Sequence, residues 1–279
     1  MTITLTSAGY VSIAELVIYL PSLFAAAVVT SRHGFRRSSG WIYTLILCVI
    51  RIAGAGCQLA TYNDHSTGLL TTTAILDLVG ISPLLFATLG IMSRFVGFVN
   101  ARGNRIFSTV YFRVIQLCIT AALILSITGG TNSFKNGTYS VQATSKVGIA
   151  VYLVAFLGIS WILLRSFGYR AAVPATETRS LFAVSLAWPL IAVRLAYAVL
   201  STFVNDPTFS SFGGSVAVRV GMAVVEEYLV VIDYIILGFN LKVLTPEERG
   251  EIAHGSSKAR RRGDGGEEGY QAIVSHGGR

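Results

Sequence analysis

The chain has little charge, little cysteine and little histidine. Only 13% of its 279 residues are charged, 53% are hydrophobic, and the mean hydropathy is +0.63. Because a soluble domain carries about 25% charged residues, this composition argues against a surface that faces water. The three cysteines lie inside apolar stretches, so we expect neither an extracellular disulfide nor a cysteine metal site. The four histidines fall in predicted loops or in the tail: His33, His65, His254 and His276.

The apolar stretches also lack lysine and histidine. Without lysine, a Schiff base to a carbonyl ligand has no nucleophile, and without histidine the usual haem and metal sites of membrane enzymes have no ligands. We therefore expect no cofactor and no metal. The formal net charge is +8, but the basic residues lie at the ends of apolar runs. This distribution does not favour nucleic acid as a partner.

Seven apolar runs are each long enough to cross a lipid bilayer, which takes about 20 residues. They cover residues 8–30, 41–62, 69–93, 107–128, 147–164, 180–203 and 215–241. The pattern predicts an all-α, seven-transmembrane helix bundle over residues 1–245, in the plasma membrane or an endomembrane. Residues 246–279 are rich in glycine and mixed in charge, which predicts a disordered tail. Its basic stretch is suited to anionic lipid or to a cytoplasmic protein.

Lysine and arginine between the runs indicate the orientation, since cytoplasmic loops are enriched in them. Sixteen of these residues lie in segments 31–40, 94–106 and 165–179 and from Lys242 onward. Only Lys135 and Lys146 lie on the opposite side. The count predicts an N-terminus outside and a tail in the cytoplasm. Asn136 begins a glycosylation sequon in a predicted outside loop, although its closeness to the membrane disfavours modification.

Several ionisable residues fall inside the runs. At a helix centre that faces lipid each would cost about 2.5–3.5 kcal/mol. We therefore expect them to face the bundle interior and to pair with one another. They are Glu15, Arg51, Asp77, Arg113, Arg194, Arg219, Glu226, Glu227 and Asp233.

The spacing of these residues predicts polar stripes along single helix faces. In the last run Arg219, Glu226 and Asp233 recur every seven residues. The other stripes are Ser12, Glu15, Tyr19 and Ser22; Arg51, Gln58 and Tyr62; Arg113, Gln116 and Thr120; and Arg194, Tyr197 and Ser201. Counted from the outer ends of their runs, Glu15, Arg51, Asp77, Arg194 and Glu226 share one depth. They predict a polar floor beneath a pocket, whereas Arg113 and Asp233 lie deeper and are expected to pair.

The N-terminal half carries the most recognisable motifs. They are Ala14-Glu15-Leu16, Tyr19-Leu20-Pro21, Arg32-His33-Gly34-Phe35, Ser39-Gly40-Trp41, Arg51-Ile52-Ala53-Gly54 and Gly80-Ile81-Ser82-Pro83-Leu84-Leu85. With the acidic last run, they resemble a family of fungal seven-helix integral membrane proteins over residues 8–245. That family is catalogued as a domain of unknown function. The resemblance implies the fold but gives no information about an activity.

The residue types leave several functions open. The leading hypothesis is a receptor-like or sensor-like protein that binds a small amphiphilic or anionic ligand. Its predicted ligand-binding residues are Glu15, Tyr19, Arg51, Gln58, Asp77, Arg194, Tyr197 and Glu226. An alternative is a membrane-embedded terpene cyclase or isomerase, with Glu15, Asp77, Glu226 or Asp233 as general acid. A proton-coupled transporter is a further alternative, and a purely structural role for the ion pairs is another.

Overall fold

The computed structural model describes residues 6–34, 40–64, 66–102, 108–131, 134–135, 138–139, 142–204 and 214–243. The predicted tail 246–279 and Asn136 lie outside these described residues. The helices are α1 (Ser7–His33), α2 (Trp41–Ala60), α3 (Thr67–Val79), α4 (Ile81–Ala101), α5 (Thr109–Thr131), α6 (Ala143–Phe167), α7 (Ala175–Phe203), α8 (Val216–Arg219) and α9 (Val225–Asn240). A 3-10 turn covers Arg170–Ala172, and the two-residue strands β1 (Phe134–Lys135) and β2 (Thr138–Tyr139) pair antiparallel.

Among the described residues, six helices are long and apolar enough to cross a membrane. They are α1, α2, the 35-residue pair of α3 and α4, α5, α6 and α7. This result confirms a helical, membrane-type bundle. The last predicted run is divided instead, because a π-helix (Val220–Val224) separates the four residues of α8 from the 16 residues of α9.

The helix Thr67–Ala101 is interrupted at Gly80, three residues before Pro83. Proline has no backbone N–H, so Pro83 leaves the carbonyl of Val79 without its helical donor. The hydroxyl of Ser82 donates to that carbonyl instead, at 2.9 Å. Beyond the break, α4 runs on to Ala101. The predicted end of this run at residue 93 was therefore too early, and Arg94 lies inside the helix.

Helix α4 forms the centre of the bundle. In its most apolar stretch the helix Thr67–Ala101 is 67% buried, whereas α5 is 28% buried. Helix α4 packs against α2, α5, α6 and α7. Around it, α1 packs on α2, α5 on α6, and α9 on α7, α1 and α2. The apolar side chains that these helices turn outward are typical of a lipid environment.

Candidate functional site

Glu227 is the centre of a buried arginine–carboxylate cluster between α2, α3, α7 and α9. The Glu227 side chain is fully buried. Its Oε2 accepts a hydrogen bond from Nε of Arg51, and its Oε1 accepts one from Nε of Arg194 at 2.5 Å. One carboxylate from α9 therefore joins the arginines of α2 and α7.

Asp77 of α3 completes this group, which we call the Glu227 cluster (Arg51, Asp77, Arg194 and Glu227). Nη1 of Arg51 donates to Oδ1 of Asp77 at 3.1 Å, and Nη2 of Arg194 donates to the Asp77 backbone carbonyl at 2.9 Å. Nη2 of Arg194 also lies 3.8 Å from Oδ1 of Asp77. Two cations thus share two anions, which offsets the cost of burying them.

Glycine at position 80 makes room for this arrangement. A Cβ on Gly80 would lie 3.0 Å from Nη2 and 3.3 Å from Cζ of Arg51. These contacts are tighter than ordinary van der Waals contact, so the guanidinium lies directly against the backbone at the α3–α4 break. The same interruption that divides the helix therefore admits Arg51 to the cluster.

Two further charges lie close enough to interact with the cluster. Glu15 of α1 is 3% exposed and interacts electrostatically with Arg51, Asp77, Glu227 and Arg219. Arg219 also interacts with Asp77. Counted formally, three guanidiniums face three carboxylates, so the charges of this region balance.

Buried polar atoms without a hydrogen-bond partner lie on the α1 side of the cluster. They are Oε1 of Glu15, the hydroxyl of Tyr19 and Nε of Arg219, whereas Nη2 of Arg51 forms an ion pair with Oε2 of Glu227. Tyr19 is fully buried and interacts electrostatically with Glu15, Arg51 and Glu227. Buried polar atoms are normally hydrogen-bonded. Several unpartnered ones in one place are the strongest sign of a binding site in the described part of the chain.

The spacing and depth of the last run predict Glu226 as the α9 carboxylate of this site, and the structure places Glu227 there instead. The seven-residue spacing from Arg219 to Glu226 presupposes a continuous α-helix. The π-helix between them adds about one residue to a turn, so the face that contains Arg219 continues at Glu227. Glu226 lies half-buried beside it, and its Oε2 has no hydrogen-bond partner.

Two other predicted ligand residues, Tyr197 and Gln58, lie on the helices that contribute the two arginines. Tyr197 is buried, and its ring centroid lies 5.9 Å from Cζ of Arg194. Gln58 is half-buried two turns along α2 from Arg51. Tyr62, from the same predicted stripe, hydrogen-bonds through its hydroxyl to Thr6 at the start of α1.

The polar stripe of α5 was expected to face the bundle interior, and this prediction was wrong. Arg113, Gln116 and Thr120 are all exposed. The expected pair of Arg113 with Asp233 does not form within the described residues. Spacing shows that residues share a face, but it does not show which way the face points.

A second buried ion pair lies at the other end of the bundle, where α4 ends and α7 begins. Nε and Nη2 of Arg94 donate to Glu177 at 3.0 and 2.6 Å, and Nη2 also donates to the carbonyl of Lys242 at 2.9 Å. Nearby, Nε2 of His33 lies 2.8 Å from the carbonyl of Gly238. We call Arg94, Glu177 and His33 the Arg94 cluster. Arg94 and His33 were predicted in loops; instead, both are helical.

The described residues contain no group of three histidine, cysteine, aspartate or glutamate side chains placed to hold a metal ion. Comparison with curated proteins gives no match, and comparison with solved structures gives none. One family model matches, over residues 5–244, which takes in every helix and both buried clusters. The chain therefore belongs to the family described as the domain of unknown function DUF7702.

Proposed function

We propose that this protein is a receptor-like or sensor-like membrane protein that binds a small amphiphilic molecule beside the Glu227 cluster. The observation that supports this proposal is the group of unpartnered buried atoms contributed by Glu15, Tyr19 and Arg219. A polar head group placed there would supply the missing hydrogen bonds. Leaving each buried polar atom unpartnered costs about 1–3 kcal/mol, so several together favour an occupant.

The chemistry of these atoms favours a neutral head group over an anion. Arg51 and Arg194 already bind Glu227 and Asp77, and an added negative charge would upset the formal balance of the region. Oε1 of Glu15 needs a donor, whereas Nε of Arg219 needs an acceptor. A hydroxyl or a carboxamide both donates and accepts, so it serves both atoms. An apolar tail would lie among the lipid-facing helices.

The proposed topology has seven spans, with the N-terminus outside and the tail in the cytoplasm. Helices α8 and α9 and the π-helix between them together cover residues 216–240. At about 1.5 Å per residue, this segment is roughly 37 Å long, enough to cross the hydrocarbon. The distribution of lysine and arginine supports the orientation. In intact cells, labelling of an epitope at the C-terminus without permeabilisation would contradict it.

The ligand proposal is tested with single-chain probes that share a twelve-carbon tail. We expect dodecanol and lauramide to raise the melting temperature of the purified protein in detergent, and laurate to raise it less. Tyr19→Phe removes a hydroxyl, and Glu15→Gln replaces an accepting carboxylate oxygen with a donating amide nitrogen. They should weaken binding of the neutral probes by about tenfold.

Tyr10→Phe is the matched control, because Tyr10 lies on the same helix and is 64% exposed. Its probe binding should equal that of the unchanged protein. Equal binding of dodecanol by the Tyr19→Phe and Tyr10→Phe variants would reject the proposed site. A larger shift with laurate than with either neutral probe would reject the proposed head group.

The cyclase alternative is supported by one contact. The rings of Tyr19 and Tyr228 meet edge to face at 5.5 Å beside the buried acid Glu15, and aromatic faces stabilise cations. The nearby guanidiniums of Arg51 and Arg219 oppose it, because they would repel a carbocation. Cyclic products from membranes incubated with linear prenyl alcohols or diphosphates, lost in Glu15→Gln, would favour the enzyme over the receptor.

A further inference from the structure

Helix α5 displays a polar stripe on the outside of the bundle. Arg113, Gln116 and Thr120 are exposed at spacings of three and four residues, so they share one face. Among the described residues, the Arg113 guanidinium and the Gln116 carboxamide have no hydrogen-bond or ion-pair partner. Exposed apolar side chains flank them, including Leu117, which is 69% exposed. This surface, the α5 stripe, is unusual for a helix that faces lipid.

Helix α9 displays acids at the border of its outward face. Glu226 and Asp233 are half-buried and seven residues apart. Oε2 of Glu226 and Oδ2 of Asp233 are buried and have no hydrogen-bond partner, while part of each side chain remains accessible at the surface. Beside Asp233, Leu229 and Ile236 point outward. We call Glu226 and Asp233 the α9 acids.

The two surfaces lie at matching depths. Arg94 of α4 donates to the carbonyl of Lys242, just after α9, so α4 and α9 end on the same side of the bundle. Helix α5 follows α4 and begins on that side. Gln116 is seven residues from Thr109, and Asp233 is seven residues from Asn240. At 1.5 Å per residue, each side chain lies about 10 Å from its helix end.

We propose that the α5 stripe of one copy of this protein docks against the α9 acids of a second copy. Arg113 and Gln116 would donate hydrogen bonds to Asp233, and the flanking leucine and isoleucine side chains would pack around them. Polar side chains drive helix association in membranes, because lipid offers them no partner. Arg113 alone could reach the membrane surface with its long side chain. Asp233 is short and two turns deep, so it needs a partner at its own depth.

The charges select a second copy as the occupant, since one chain carries both complementary surfaces. Helix α5 packs on α6, α3 and α4, whereas α9 packs on α7, α1 and α2, so the surfaces belong to different flanks. The contact is therefore head-to-tail, and a pair of copies retains one free surface of each kind. Such contacts close into rings or extend into chains. This inference is independent of the proposed ligand site.

The test counts fluorescently labelled copies in phosphatidylcholine vesicles by single-molecule photobleaching. The unchanged protein should form oligomers. Arg113→Asp and Asp233→Arg should each reduce association by about tenfold or more, since each places like charges opposite one another. A mixture of these two variants should recover association in species that contain both, because Asp233 of the Arg113→Asp variant meets Arg113 of the Asp233→Arg variant, and the two reversed positions also carry opposite charges. Recovery on mixing also shows that both variants are folded.

Arg179→Asp is the matched control, because Arg179 is an exposed arginine four residues from the start of α7, as Arg113 is in α5. It should associate like the unchanged protein. If the charge reversals unfold the protein, the milder variants Gln116→Leu and Asp233→Asn should still weaken association about threefold. A monomeric unchanged protein, undiminished association of the variants, or folded variants that stay monomeric when mixed would each overturn the proposal.

Discussion

The two buried arginine–carboxylate clusters have similar side chains and differ in what surrounds them. In the Arg94 cluster, one arginine meets one glutamate through two hydrogen bonds, and the remaining hydrogen bonds reach backbone carbonyls. None of its three side chains contributes an unpartnered buried atom. Beside the Glu227 cluster, Glu15, Tyr19 and Arg219 each contribute one. An ion pair whose polar atoms are all hydrogen-bonded can be explained by packing alone. A cluster with unpartnered buried atoms beside it indicates a binding site.

The comparison separates stability from binding. Changes in the Arg94 cluster should alter how firmly α4, α7 and the end of α9 are held together and leave ligand binding intact. Changes to Glu15 or Tyr19, on the α1 side of the Glu227 cluster, should weaken ligand binding and leave stability nearly unchanged. A change to Glu227 should alter both stability and ligand binding, because Glu227 links α9 to two other helices and positions Arg51.

The largest expected effect is that of Glu227→Ala. Removing it leaves two buried guanidiniums with Asp77 as their remaining acidic partner, which costs about 3–5 kcal/mol. Its neighbour Glu226 is the control, because Glu226→Ala removes no hydrogen bond seen among the described residues and should cost less than about 1 kcal/mol. Unfolding in detergent by thermal or denaturant titration measures both. Equal losses would show that the register after the π-helix is not the one described.

Gly238→Ala should have the next largest effect, at the end of the bundle that contains the Arg94 cluster. A Cβ on Gly238 would overlap Cγ1 of Val29 and lie 3.2 Å from Cζ3 of Trp41. Overpacking of this kind costs about 1–3 kcal/mol. Gly56→Ala is the control, since a Cβ there meets nothing within 4 Å. The same unfolding measurement applies, and a Gly238→Ala protein as stable as the control would contradict the close packing of α1 against α9.

Arg94→Lys should destabilise the protein by about 1–2 kcal/mol while leaving probe binding unchanged. Lysine keeps the charge but cannot form the two parallel hydrogen bonds that the guanidinium makes to Glu177. Arg179→Lys, at an exposed position of α7, should change stability by less than about 0.5 kcal/mol. Dodecanol binding is measured beside stability. Loss of binding in Arg94→Lys would show that the two clusters are coupled and would break the comparison.

Tyr19→Phe should have the smallest effect on stability, below about 1 kcal/mol in either direction. The hydroxyl has no partner in the protein, so removing it sacrifices no hydrogen bond and relieves an unsatisfied group. Tyr234→Phe gives the contrast, because the Tyr234 hydroxyl lies 2.7 Å from Oγ1 of Thr88. Its loss should cost about 1 kcal/mol. A Tyr19→Phe protein less stable than Tyr234→Phe would mean that Tyr19 has a structural partner.

Much of the helical architecture could be predicted because apolar runs of about 20 residues have few other interpretations. Arg51, Asp77 and Arg194 were predicted at one depth from their positions along the runs, and the structure brings them together. The end of α4 was missed for a physical reason. An arginine at the end of an apolar run usually indicates a loop near water. Arg94 instead forms an ion pair with Glu177, and α4 continues beyond it to Ala101. Pro174 followed by Glu177 was the available signal, since proline and an early glutamate are typical of a helix start.

Glu227 and the α5 stripe show what periodicity leaves undetermined. Glu226 and Glu227 are adjacent, and only the π-helix decides which of them lies between the arginines. No local residue pattern predicted that insertion. For Arg113, the spacing correctly places the residue on one face of α5 with Gln116 and Thr120. The spacing does not show whether that face points into or out of the bundle, because this depends on which helices pack around α5. The π-helix and the outward direction of the α5 face are both properties of the assembled bundle.

The position of Glu227 in the chain also bears on how the protein is made. Arg194 leaves the ribosome 33 residues before the carboxylate that receives its Nε hydrogen bond, and Arg51 leaves it 176 residues before. At about 5–20 residues per second, Arg194 waits roughly 2–7 s for Glu227. Asp77 follows Arg51 by 26 residues, so it can act as an interim partner for both arginines. The bundle therefore gains its central carboxylate only after α1 to α7 have been made, and a chain truncated before Glu227 would leave its arginines exposed to quality control.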